Sequence, residues 1–294
     1  MSQLLAMCCD IDDFCKWFEP LYMPRLLQSS QRQRVRQGQL TLSELMTLIV
    51  FFHSRHDRDF KHYYTEYVEE HLRPYFPALV SYSRFVELMP RALVPLCGYL
   101  HTRKGRCTGM TFVDSTSLAV CHNRRIGRHK VFEGYATRGK SSMGWFFGFK
   151  LHLMVNDEGE LLALRVTTGE VNAQVPVERM ARELWGQLFG DRGSISRVLH
   201  QALWAHGLAL MTLVRRNMKP RLMRLWDRLL LRKRFLIETI NDQLKNSSQS
   251  EHSRHRSLTG FRVNLGGGLI AYTFQPKKPS LGLWRRDSGL PVVA

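Results

Sequence analysis

Apolar and polar positions alternate with two different periods along the chain, and the change falls near residue 107. Over LTLSELMTLIVFFHS, apolar residues at 42, 45, 46, 49, 50 and 52 recur near the helical period. Thr41 and Glu44 stand at the spacing of a capping box, in which each side chain satisfies the other's backbone N–H. A second helix is expected after Ser81 or Ser83, through RFVELMPRALVPLCGYL, with bends at Pro90 and Pro95. Between them RHDRDFKHYYTEYVEEHLRPYFP mixes basic, acidic and aromatic residues. That mixture suits a helical module lying on nucleic acid and a partly exposed helix bundle about equally.

Past Cys107 the period shortens to that of strands. Residues 111–120 read as a strand with one acid, Asp114, set among apolar neighbours. Residues 148–156 and 161–167 read as two more strands joined by the turn Asp157-Glu158-Gly159-Glu160. An amphipathic helix is expected over 176–188, with Pro176 at its start where a missing N–H costs nothing. A short strand should then end at Gly190-Asp191-Arg192-Gly193. A helix over 195–206, a strand over 208–216 and a long helix over 221–246 follow. This order makes a mixed α/β sheet with flanking helices, preceded by a mostly helical N-terminal domain. The expected boundaries are 1–105 for the helical domain, a possible DNA-binding unit, 106–285 for the sheet domain, and 286–294 for a frayed tail.

Charge narrows the partner. The 294 residues carry 43 Lys+Arg against 25 Asp+Glu, a formal net charge of +18, which points to a polyanion. The first twenty residues have no basic residue before Lys16 but do have Asp10, Asp12 and Asp13, so they do not read as a secretory signal. The longest apolar stretch, 45–52, is far short of the roughly 18 residues of a membrane span. Six cysteines show no CxxC pair and no zinc-ligand spacing, and read as reduced thiols of a cytosolic protein.

Three acids carry the candidate chemistry: Asp114 inside a strand, Asp191 at a strand-to-loop junction, and Glu238 on the last long helix. Arg234, Asp242 and Lys245 fall on the helical stripe of Glu238, so one face presents a carboxylate between cations. Taken singly, Asp114 suits a local hydrogen-bonding role, Asp191 a turn, and Glu238 an ion pair with Arg234. Taken in order on three elements, they form a hard-oxygen set suited to Mg²⁺, which takes its remaining ligands from water and phosphate. Two such ions activate a water or 3′-hydroxyl and stabilise the leaving oxygen of an in-line displacement.

At this point the chain resembles the insertion-sequence transposases of the DDE group, bacterial proteins with an RNase H-like catalytic core. The resemblance rests on FVDSTSLAVCHNRRIGRHKVFEGYATRGKSSMGWFFGFKLHLMVND, GDRGSIS, LLRKRFLIETINDQLKN and EHSRHRSLTGFRVNLGGGLIAYTFQPKKPS. It includes spacing: 77 positions from Asp114 to Asp191, 47 from Asp191 to Glu238, and an Arg-x₃-Glu-x₆-Lys third motif made by Arg234, Glu238 and Lys245. The chain departs from the usual pattern at Leu231, where such proteins often have Tyr, and at Arg192-Gly193-Ser194, where Lys-Gly-Tyr is frequent.

The resemblance implies an RNase H-like mixed sheet and Asp114, Asp191 and Glu238 as catalytic metal ligands. It also implies two Mg²⁺ ions, with Mn²⁺ as a substitute, and metal-dependent cleavage and strand transfer at terminal inverted repeats. The partners implied are duplex DNA, both inverted-repeat ends and target, and a second copy of the chain in a homodimer on those ends. The expected location is cytoplasmic, associated with the nucleoid.

Two basic segments fit that partner. Residues 122–150 contain seven Lys/Arg against one acid, interleaved with Tyr135, Trp145, Phe146 and Phe147. Phe147 and Phe149 flank a strand and read as core. Residues 213–245 contain ten Lys/Arg against three acids. The candidate DNA contacts are Arg124, Arg125, Arg138, Lys140, Lys150, Arg192, Arg234, Lys245 and Arg254, with His252 and His255 beside the last. Gly266-Gly267-Gly268 lacks the Lys-Ser/Thr of a nucleotide loop. GLIAYTFQPKKPS is expected to be a helix returning to the core with Lys277 and Lys278 exposed. The competing readings are a non-catalytic DNA-binding protein derived from a transposase, an RNase H-like nuclease without strand transfer, and, on charge alone, a scaffold or RNA-binding protein.

Overall fold

A computed structural model describes residues 2–28, 38–141, 143–191, 196–212, 223–246 and 255–282. The chain divides into two compact units. One comprises residues 1–103, 118–148 and 242–275, and the other 104–117, 149–241 and 276–294.

The first unit is mainly helical. Helix α1 (Ser2–Gln28) buries Leu4, Met7, Ile11, Phe14 and Cys15, a stripe at helical spacing. Helix α2 (Leu42–Ser54) starts at the expected capping box: Thr41 N–H donates to Glu44 Oε2 at 2.8 Å, and Glu44 N–H donates to Thr41 Oγ1 at 3.2 Å. The mixed aromatic and charged segment forms a short α3 (Phe60–His62) that continues as π-helix over Tyr63–Leu72. Its Tyr63 and Tyr64 are buried, donating their hydroxyls to the carbonyls of Leu48 and Val80, so these aromatics build core. Helix α4 (Tyr82–Leu88), a 3₁₀ turn at Met89–Ala92 and α5 (Leu93–Thr102) take up the expected segment; its bend falls at Pro90.

Helix α10 (Leu258–Thr273) packs on α2 and α5 and is buried along most of its second half. Gly267 has a packing reason. A Cβ at Gly267 would lie 2.9 Å from Ile49 Cγ2 and 3.0 Å from His53 Cδ2, so the helices approach as closely as glycine allows. The expected C-terminal helix thus begins ten residues earlier than GLIAYT and ends before Pro276. Lys277 is exposed, but Lys278 is half-buried.

The sheet has six strands: β1 (Met110–Cys121), β2 (Thr137–Ser141), β3 (Gly144–Asn156), β4 (Leu161–Thr168), β5 (Gly186–Gly190) and β6 (Leu208–Thr212). Their order is β2-β3-β1-β5-β6, with β4 also paired to β3. Strands β2 and β4 run antiparallel to β3, whereas β1, β5 and β6 run parallel to one another. The β3–β4 turn is the expected one: Asn156 Oδ1 accepts the N–H groups of Glu158 and Glu160, and Gly159 takes φ +76°. With a helical N-terminal region ahead of this mixed sheet and further helices between and after its last strands, the architecture is RNase H-like.

Two expected helices are corrected. The amphipathic pattern of 176–188 yields only a four-residue α6 (Val177–Met180), because its last residues are claimed by β5. Parallel pairing of Gln187, Leu188 and Phe189 with both β1 and β6 outweighs the local helical period. Gly186 makes the switch, with φ +90° and its N–H on Gly207 O. A Cβ there would collide with the Gly109 carbonyl oxygen. Gly186→Ala should therefore destabilise the fold by about 1–3 kcal/mol through strain alone. Thermal melting against the parent chain checks this, and an unchanged midpoint would remove Gly186 as the determinant of the strand's start.

The long helix over 221–246 is two helices, α8 (Leu225–Arg232) and α9 (Phe235–Asn246), within the described part. A straight helix continuing the buried stripe 227, 230, 231 would turn 234 and 238 inward. The break instead buries Leu236, Ile237, Ile240, Asn241 and Leu244. Helix α7 (Arg197–Ala205) follows the expected segment, capped by Ser196. The strand expected over 208–216 is seen over Leu208–Thr212, and its remainder lies outside the described residues, as does the expected tail.

Candidate active site

Asp114 lies in β1, four residues past the start of its parallel pairing with β5 at Met110. Asp191 follows directly on β5, whose last residue is Gly190. Parallel strands β1 and β5 therefore bring two acids 77 positions apart in sequence to the same sheet end. Asp227, buried at 6% exposure, accepts from Gln187 Nε2 at 2.9 Å, which ties α8 to β5. The α8–α9 break follows, and it places Arg234 and Glu238.

Arg234 is the hub. Its Nη1 lies 3.3 Å from Asp191 Oδ1 and its Nη2 3.7 Å from Glu238 Oε1. Its side chain is only 13% exposed, against 61% and 60% for the two acids. Asp114 Oδ2 accepts a 2.8 Å hydrogen bond from Asn241 Nδ2. Burial pushes the Asp114 carboxyl up to about 6 from 3.8, and the negative charge of Glu238 adds to the rise. The Ser115 N–H, the Arg234 guanidinium and the Asn241 amide oppose it. The three acids thus form one electrostatic group whose negative charge Arg234 offsets in part.

The donor chemistry fits a hard divalent cation. Three carboxylates come from three segments, and the buried Asn241 Oδ1 beside Asp114 has no hydrogen-bond partner among the described residues. Among the described residues, no group of three or more His, Cys, Asp or Glu is drawn together closely enough to hold an ion without adjustment. At present Arg234 supplies the positive charge between Asp191 and Glu238.

The other candidates divide between the units. Arg124 and Arg125 are exposed in a 3₁₀ turn at Asn123–Arg128. Arg138 and Lys140 are exposed on β2, 5.4 and 5.9 Å from the ring of Trp145, itself 56% exposed. Asn123 Nδ2 donates to Trp145 O at 2.7 Å, joining the turn to the strand pair. Phe146 and Phe149 are buried and Phe147 is half-buried, so the core aromatic of this pair is Phe146 rather than Phe147. Lys150, in the other unit, is half-buried with Nζ on Val171 O at 2.8 Å, and burial lowers its pKa. Lys245 is half-buried on α9, and Arg192, His252 and Arg254 lie outside the described residues. His255 packs on Phe261, and burial lowers its pKa to about 4, so it is neutral at pH 7 and unlike a phosphate contact. Leu231 is buried.

Asn241 is the residue that sequence reasoning missed. The available signal was a polar side chain three positions after Glu238, in a stripe otherwise filled by Ile237, Ile240 and Leu244.

No helix among the described residues is long and apolar enough to cross a membrane. Residues 104–258, just over half of the chain, match the family model of the transposase DDE domain. No curated protein matches the chain.

Proposed function

The chain belongs to the transposase DDE domain family, and from that premise we propose that it is an insertion-sequence transposase. Its substrate is the pair of terminal inverted repeats, which it cleaves and joins to target DNA through Asp114, Asp191 and Glu238. One observation carries the reading: Arg234 bridges the acids at the end of β5 and on α9, and its charge and that of Glu238 both act on Asp114 in β1.

In this reading the three carboxylates hold two Mg²⁺ ions, for which Mn²⁺ substitutes. When bound, the ions supply Lewis-acid stabilisation of the attacking and leaving oxygens. The chain's own residues do the rest. Asp114, partly shielded from water, keeps a rigid ligand position on a sheet strand. Asp191 and Glu238 are mostly exposed and meet the DNA side. Arg234, whose planar fork now spans two carboxylates, has the geometry to grip a phosphodiester in two places. In the other unit Arg124, Arg125, Arg138 and Lys140 offer exposed cations to the DNA backbone, with Trp145 between them as a stacking surface. The helical residues 1–105 are assigned a DNA-binding role, and the active form is a homodimer holding two ends.

The test uses the full chain and linear duplexes carrying the DNA on either side of its own gene, with Mg²⁺ or with EDTA. Strand breaks at defined ends, only with Mg²⁺, are expected. Pre-nicked ends should be joined to a supercoiled plasmid. Breaks without joining would reduce the protein to a nuclease. Binding without metal-dependent breaks would make it a DNA-binding protein.

A further inference from the structure

We propose that Asn241 is a positioning residue that fixes the Asp114 carboxylate for the metal and sets its distance from Glu238. This rests on the reading of Asp114 and Glu238 as metal ligands.

Asn241 is 4% exposed and sits on the inward stripe of α9 with Ile237, Ile240 and Leu244. A carboxylate only accepts, so the amide must turn Nδ2 toward Asp114 Oδ2, at 2.8 Å. That orientation leaves Oδ1 buried with no hydrogen-bond partner among the described residues. An apolar side chain would fill this position at no such cost. The amide therefore sacrifices stability and gains a fixed hold on one acid, the pattern of a functional position.

Its place in the helix gives the hold a second consequence. Glu238 and Asn241 are three residues apart, about one turn, on the same helix. The turn that carries one acid thus carries the clamp on another, which is 127 positions away in sequence. Register of α9 against β1 is transmitted to the spacing of the two carboxylates through this one bond. Groups that orient ligands in this way commonly govern metal affinity as strongly as some ligands do.

The test is calorimetric titration of the full chain with Mn²⁺ alone, for wild type, Asn241→Leu, Asn241→Ala and Asp114→Asn, and for Asn241→Leu combined with Asp114→Asn. Melting in EDTA accompanies each. Asn241→Leu keeps the number and branching of the side chain's heavy atoms and should melt close to wild type. Both Asn241 variants should bind Mn²⁺ roughly tenfold or more weakly. In the Asp114→Asn background, Asn241→Leu should weaken binding less than twofold further, because the group it orients no longer ligates. A role in packing alone predicts instead that Leu rescues what Ala loses, or that the two losses multiply. Either result overturns the proposal, as does wild-type Mn²⁺ affinity in Asn241→Leu. A wild-type chain that binds no Mn²⁺ overturns the metal reading itself, and the role of Asn241 with it.

Discussion

Asp114→Asn should lower Mg²⁺-dependent cleavage at least roughly a thousandfold, about 4 kcal/mol on the barrier, while raising the stability of the metal-free protein. The two effects share one cause. The carboxylate lies where burial lifts its pKa from 3.8 to about 6, so at neutral pH its charge is held against the preference of its surroundings. The folded state binds more protons than the unfolded state between about pH 4 and pH 6, so stability falls as pH rises through that window. Above pH 6 the cost is complete, at most about 3 kcal/mol. Asparagine removes the charge and can still accept from Asn241 through its amide oxygen. Denaturation in EDTA at pH 8 should therefore show the variant more stable than wild type, with the gain shrinking toward pH 4. Asp191→Asn and Glu238→Gln should abolish cleavage equally, yet change stability little, because both acids are mostly exposed. All three variants should still bind DNA. Near-normal cleavage by any of them would remove that acid from the set of ligands. A metal-free Asp114→Asn chain no more stable than wild type at pH 8 would mean that burial of this carboxylate carries no cost.

Where local signals decide conformation, the sequence was sufficient. The Thr41–Glu44 box starts α2 because four residues hold all the groups that need satisfying. The β3–β4 turn follows from Asn156 and Gly159 in the same way. Helix 176–188 failed because residues 186–190 become a central parallel strand, and their partners lie in β1 and β6 rather than nearby. The break between α8 and α9 was hidden for a related reason. Nothing local forbids a straight helix through Lys233. Two packed stripes with different phases require the turn, and only the fold supplies the surfaces that set those phases. The same reasoning separates the acids from their supports. Asp114, Asp191 and Glu238 were visible as residue types in a characteristic order. Asn241 was not, because an asparagine acquires a role only from what it touches, and that partner is far away in sequence.

DNA binding by the full chain should weaken by roughly 10³- to 10⁵-fold between 50 and 200 mM salt, the loss expected for about six to ten phosphate contacts. The net charge of +18 alone would allow a weaker dependence, since cations scattered for solubility release few counterions on binding. Placement sharpens the expectation. Arg124 and Arg125 stand exposed on one turn, and Arg138 and Lys140 on the adjoining strand pair, linked by the Asn123 to Trp145 bond. Arg138 and Lys140 beside the exposed Trp145 ring, with two more exposed cations on the turn bonded to that strand pair, offer phosphates a set of contacts. Removing Arg138 or Lys140 as alanine should lower the slope of log affinity against log salt by about one, with little effect on sequence preference. Trp145→Ala should leave the slope unchanged but weaken binding to ends carrying unpaired bases, by about 1–3 kcal/mol per stacked base. Filter binding across a salt series separates these outcomes. A flat dependence in the wild type would return the charge to solubility. A steep one that survives loss of both Arg138 and Lys140 would move the DNA surface to another part of the molecule.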